Sequence, residues 1–308
     1  AVERKIHHDP MEIFDIKFPK PTTTAKIPPY CCVMRSATVT PTSVYYHSPS
    51  VDISNRVIRH FIEFSDRFLR VRFKDEKLNG RINSTENDTM DEVFTRIKRT
   101  MANGITLGDR HYEFLAFGNS QFREHGAYFF ASLPNLNAAN IRAWMGQFED
   151  IRNIAKYAAR LGQCFSTTRA VTACSVQVRE IKDVERNGYT FSDGVGRMSK
   201  FLAQMTANQL GIKTPDGEPP SAFQFRLGGC KGMLVVTPQA KNQEIHIRPS
   251  QHKFSTGHQG LEIIRWSQFC MAHLNRQLIA VLSTLGVPDD VFHDKLQVML
   301  TNLDEILV

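Results

Sequence analysis

SAFQFRLGGCKGMLVV, residues 221–236, decides how the second half of the chain is read. Phe223 and Phe225 alternate with Gln224 and Arg226, the period of two expected of a half-buried strand. Gly228-Gly229 interrupts the run, and Gly232 to Val236 begins a second apolar strand. Two strands about a glycine pair read as a hairpin or a bulged turn. Lys231 stands among these glycines with little side-chain crowding, so its ammonium has the reach to meet a phosphate. A solvent-exposed turn lysine is the plainer reading of the same residues. The stretch is not a P-loop, because the spacing and the Ser/Thr after lysine are missing.

Further short strands crowd around this one: SVQVREI (175–181), YTFSDG (189–194) and EIHIRPS (244–250). One helix lies between them, over 199–210, stopped by Gly211. Many short strands with a single helix suggest a barrel and not a doubly wound sheet. Beyond them the pattern over 261–286 predicts helix. Pro288 breaks it, and Asp289 or Asp290 opens a last helix to about residue 306.

The first half is mixed. CCVMRSATVTPTSVYY (31–46), FLRVRF (68–73), HYEFLAF (111–117) and AYFFASL (127–133) predict strands, with a helix over 90–102 and Gly104 past its end. One long helix is expected over 138–161, where Ile141, Trp144, Met145, Phe148, Ile151, Ile154 and Ala158 recur at helical spacing and make a core stripe. The fold class is therefore α+β. In the basic segment 56–77, Arg70, Arg72 and Lys74 share one strand face and Leu69, Val71 and Phe73 the other. A solvated face of an amphipathic strand outweighs a phosphate-tracking strip as its explanation.

Net charge is +7 and the pI about 9.1, which favours a polyanionic partner without requiring one. Six cysteines without C-x-x-C, two of them adjacent at Cys31 and Cys32, do not read as a disulfide framework and point to a reducing, intracellular compartment. No signal peptide is present, and the most apolar stretch, 278–287, is too short to span a bilayer, so no membrane partner is expected. The chain begins at Ala1 and ends in LDEILV; both ends read as cuts in a longer protein.

Other motifs carry less. FSDGVGRMS (191–199) runs from a strand through G-x-G to a helix, an arrangement that cradles phosphate on backbone N–H groups. The dinucleotide fingerprint requires a third glycine where Ser199 stands, and no alternating strand–helix pattern surrounds it, so a nicotinamide enzyme is a weak reading. A tight turn needing glycine accounts for the same residues. In IHIRPSQHKF, Ile245 and Ile247 alternate with His246 and Arg248, which read as outward-facing. His246, His252 and His258 are evenly spaced, but zinc sites draw on tighter pairs that include cysteine. Magnesium needs clustered carboxylates, and none of the acidic pairs belongs to a D-x-D arrangement. No metal site and no catalytic residue is therefore expected in this chain.

Taken in order, SNRVIRHF, DRFLRVRFKDE, YEFLAFGNSQFREHGAYFF, IRNIAKYAARLGQCFSTT, FSDGVGRMS, PSAFQFRLGGCKGMLVV, IHIRPSQHKF and LNRQLIAVLSTLGVP resemble the eukaryotic, RNA-silencing type of cellular RNA-dependent RNA polymerase. The resemblance covers about 54–288. It implies a supporting α+β region over 1–165, the first of two double-psi β-barrels over 166–260, and a helical connector over 261–308 toward a second barrel. In the family that second barrel holds Mg2+ on a D-x-D-G-D motif absent here. It also implies synthesis of complementary RNA from a single-stranded RNA template and ribonucleoside triphosphates, with the second barrel of the same polypeptide and silencing-complex proteins as partners, in the nucleus or the cytoplasm. Lys231 is the leading phosphate-binding residue by this resemblance, with Lys200, Arg226, Arg248 and Lys253 behind it. Without the acidic motif the isolated chain is expected to be inactive. The alternative is a non-catalytic RNA-binding or scaffold protein derived from the family; salt-dependent RNA binding by the isolated chain would support it, and a reading frame continuing past Val308 into D-x-D-G-D would decide against it.

Overall fold

Residue Pro41 cannot donate a ladder hydrogen bond, and there the first apolar run divides into two strands. The computed structural model describes residues 27–76, 87–118, 125–270 and 273–306. In it β1 (Cys31–Val39) turns at residues 40–43, where the Thr40 N–H donates to the Ser43 carbonyl at 2.9 Å, and returns as β2 (Val44–Ile53). β3 (Phe68–Phe73) runs parallel to β1. After the helix Asn87–Asn103 come β4 (Ile105–Leu107), β5 (Arg110–Phe117) and β6 (Gly126–Ala131), giving the order β2-β1-β3-β6-β5-β4. Central β6 is buried on both faces. Tyr128 and Phe130 enter one apolar cluster, Ala127, Phe129 and Ala131 another. On β3 the alternation holds, and Arg70 is tied to Asp52 at 3.0 Å.

The single long helix expected over 138–161 is two helices, Ala138–Met145 and Ile154–Gln163. Gly146 separates them at φ +151°, and a Cβ there would lie 2.7 Å from the Ser255 carbonyl oxygen. The expected stripe therefore ends early. Ile141, Met145 and Phe148 are buried, while Ile154 is 84% exposed. Asn153 starts the second helix by accepting from the Lys156 N–H at 2.9 Å.

The second half forms one seven-stranded sheet. Its strands are β7 (Arg169–Ala170), β8 (Gln177–Glu180), β11 (Val195–Met198), β12 (Ala222–Leu227), β13 (Cys230–Val236), β14 (Glu244–Ile247) and β15 (Leu261–Trp266), in the order β7-β15-β12-β13-β11-β14-β8. A separate hairpin, β9 (Glu185–Arg186) with β10 (Tyr189–Thr190), stands outside it. β11 pairs parallel with β13, and β14 with β8; the other ladders are antiparallel. The expected helix is Lys200–Leu210, capped by Ser199 and closed by Gly211 in the left-handed region. Phe223, Phe225, Leu234, Ile245 and Ile263 form the core with Met198 and Leu202.

Two sequence expectations need correction here. Residues 261–266 are not helical: Leu261 and Ile263 fill the core as β15 pairs with β12, and helix begins only at Arg276. His246 and Arg248 do not point outward to solvent but are 6% and 8% exposed. His246 lies against Glu244, with the imidazole Nε2 3.2 Å from the carboxylate, and Arg248 is bound to backbone carbonyls.

Residues 268–308 are a second compact unit, distinct from 1–267. It contains the helices Arg276–Thr284, capped by Asn275, and Asp289–Ile306, with the Ser283 hydroxyl donating to Asp289 at 2.7 Å between them. Among the described residues no helix is long and apolar enough to cross a membrane.

Candidate phosphate-facing site

The turn that presents Lys231 is made by packed backbones. A Cβ on Gly229 would lie 1.5 Å from the Phe254 carbonyl oxygen, and one on Gly232 would lie 2.1 Å from the Gly194 carbonyl oxygen. Only glycine lets these chains approach so closely. The Met233 N–H donates to the Gly194 carbonyl at 2.8 Å, and the buried Gln251 amide donates to the carbonyls of Gly194 and Met233 at 3.3 and 3.2 Å. The two glycine motifs of the sequence thus serve each other. The G-x-G turn at 194–196 is occupied by protein: a Cβ on Gly196 would meet the His246 carbonyl at 2.4 Å.

Held there, Lys231 is half-buried, and burial lowers its pKa below the usual lysine value. Arg160, Arg226 and Lys253 lower it further by repulsion. Its ammonium has no hydrogen-bond or ion-pair partner among the described residues. A cation held among cations favours an anionic ligand, which would relieve both the repulsion and the loss of hydration.

The other sequence candidates separate into two groups. Arg226 is the cross-strand partner of Lys231 and Lys253 donates its backbone N–H to Gly229 at 3.2 Å, so both belong to the same place. Arg226 itself is buried. Its Nε donates to the Ser166 hydroxyl at 3.3 Å, and desolvation, reinforced by Arg56, lowers its pKa to about 10. The Lys253 ammonium donates to the Ser250 carbonyl. Arg248 and Lys200 are engaged elsewhere. Arg248 donates to the carbonyls of Val195, at 2.8 Å, and Lys182. Lys200 forms an exposed ion pair with Glu218 at 2.6 Å.

Sequence reasoning missed the group beneath the hairpin. Arg56 donates to the Gly228 carbonyl at 2.6 Å and to Glu262 at 3.1 Å. Arg59 joins Glu262 to Thr168, and the Gln163 amide donates to the Gly229 carbonyl at 3.2 Å. These side chains come from the first helical turns, the helix Ile154–Gln163 and β15, and converge only in three dimensions. Arg160, on the same helix as Gln163, was missed for the same reason. The one available signal was the basic character of residues 56–59.

Among the described residues no three His, Cys, Asp or Glu side chains group to hold a metal ion. His246, His252 and His258 are not such a group. The described residues therefore offer no carboxylate cluster that fits magnesium, and the chemistry at Lys231 is that of a fixed cation.

A family model described as RNA dependent RNA polymerase matches residues 39–308. The chain is similar to RNA-dependent RNA polymerase 1 of Schizosaccharomyces pombe, 44% identical over 273 residues, covering 87% of this chain and 22% of that protein. It is similar to RNA-dependent RNA polymerase 1 of Arabidopsis thaliana at 42% identity, covering 87% of this chain and 25% of that protein. In fold it resembles the RNA dependent RNA polymerase QDE-1 from Thielavia terrestris, with a TM-score of 0.68, 22% identity, and coverage of 92% of this chain and 34% of that one. The chain thus spans about a quarter of the length of these curated relatives.

Proposed function

Because the chain belongs to the RNA dependent RNA polymerase family, we propose that it supplies the cationic side of a nucleotidyl-transfer site in an RNA-silencing polymerase that copies single-stranded RNA from ribonucleoside triphosphates. In this reading residues 166–260, completed by β15, form the first of two double-psi β-barrels, and residues 1–165 support it. The residues after β15 lead toward the second barrel, and magnesium is held by residues outside this sequence.

One observation carries the proposal: Lys231 is fixed among Arg160, Arg226 and Lys253 with no counter-ion among the described residues. The transfer is an in-line attack of a 3′-hydroxyl on the α-phosphate of a nucleotide, releasing pyrophosphate. It requires positioning and neutralisation of charge on the phosphate oxygens. Lys231 provides a preorganised cation for this, because Gly229, Gly232 and Gln251 fix its strand before any ligand arrives. Arg226 and Lys253 keep the local potential positive.

In the complete polymerase, Lys231→Ala is expected to lower nucleotide incorporation on a single-stranded RNA template by about 10²–10³-fold. Near-normal incorporation removes Lys231 from the site. Residues 1–308 alone are expected to incorporate no nucleotide, and magnesium-dependent synthesis by them would refute the division of labour between two barrels.

A further inference from the structure

Lys231 is one end of a longer surface. The registers place Gln224 opposite Met233, and Val235 opposite Arg197 on β11. All of these share the Lys231 face of the sheet, because cross-strand partners point the same way. β15 adds Arg265 opposite Gln224. Near Lys231 this face is covered, since Arg226 is only 5% exposed. Farther along it opens: Val195 and Val235 are 37% and 36% exposed, and Arg265 is exposed.

The charges on this open face are unbalanced. Arg197 and Arg265, like Lys231, have no hydrogen-bond or ion-pair partner for their side chains among the described residues. Two carboxylates on the same face, Glu262 and Glu244, are already engaged, the first by Arg56 and Arg59, the second by Arg179 and His246. The two free arginines flank a floor of Gln224, Met233 and Val235, three strand spacings apart, or about 14 Å. From Lys231 to Val235 the floor runs about 13 Å. Cations at the rims, with Met233, Val235 and the Gln224 stem between them, match phosphates outside and sugar and base faces inside, which only an unpaired strand can offer.

We infer that this face carries the backbone of one single-stranded RNA, with Lys231 at its inner end and Arg197 and Arg265 as flanking phosphate contacts. The inference rests on the proposed function for the identity of the anion. The contacts named are to phosphates, so the strand is held chiefly by charge.

The test is binding of a labelled single-stranded RNA to the 308-residue chain by fluorescence anisotropy across a salt series. Arg197→Gln/Arg265→Gln is expected to bind about tenfold more weakly and to reduce the slope of log K against log salt by about 1.4, or about 0.7 per phosphate lost. Arg265→Gln alone, on an exposed side chain, gives about half that change in slope. Thermal melting controls for folding. Unchanged affinity and slope in the double variant overturn the inference. Failure of the parent chain to bind RNA also overturns it and leaves the face to an acidic protein partner. Incorporation lost in Lys231→Ala while the double variant binds RNA normally rejects this path and keeps the proposed function. Normal incorporation in Lys231→Ala with weakened RNA binding in the double variant does the reverse.

Discussion

Lys231 was legible as a phosphate-binding candidate through the family resemblance, but its surroundings were not. Sequence shows an uncrowded lysine; only the fold shows that Arg160, seventy-one positions away by number, and Lys253 stand around it. Arg248 and Lys200 looked equivalent in sequence and differ in kind: one is bound to carbonyls, the other to Glu218. The depressed pKa of Lys231 has a consequence for stability. Between its lowered folded value and the ordinary 10.5, the unfolded chain holds more protons than the folded one. Stability from this residue therefore rises with pH through that window, the charged form being the disfavoured one below it. Lys231→Met, which keeps the stem and removes the charge, is expected to melt above the parent at pH 7 in phosphate-free buffer. The difference should narrow as pH rises toward 10.5. A difference that stays constant with pH would show that the ammonium is not strained by its neighbours.

Among elements, the short runs bounded by glycines or showing clear alternation were readable as strands, and β15 was not. β3, β12 and β13 follow their sequence pattern. β15 lies inside the stretch 261–286 whose pattern predicts helix, because Leu261, Ile263 and Ile264 crowd without the clean alternation of a half-buried strand. In the fold Glu262 is 2% exposed and lies between Arg56 and Arg59. Those two guanidiniums reach from the short helix Arg56–His60 of the first sheet region, so Glu262 ties the two halves of the unit together beneath the Gly228-Gly229 turn. Breaking a buried pair from one side is costly because the partner charges stay buried. Glu262→Ala is expected to destabilise the chain by about 3–5 kcal/mol, measured by urea unfolding. Arg56 is left with one backbone carbonyl and Arg226 loses its nearest compensating charge. A loss below about 1 kcal/mol would mean that water reaches the arginines and that the joint is not dry.

The whole molecule divides its labour unevenly. All three buried apolar clusters lie between Cys32 and Ile263, and so do Lys231 and Arg197, while Arg265 follows two residues later. None of the described residues of 268–308 belongs to those clusters. On its long helix Leu296, Val298, Met299 and Leu303 are each more than half exposed. Exposed apolar area of this kind favours association with other surfaces. A chain ending at Ser267 is therefore expected to keep the melting temperature of residues 1–308 and the salt slope of their RNA binding. It should also show less self-association in sedimentation at high concentration, because the exposed apolar residues of 268–308 are gone. A large fall in melting temperature would show that the second unit completes the first core. An unchanged melting temperature with lost RNA binding would move the strand's contacts from the sheet face to the C-terminal helices.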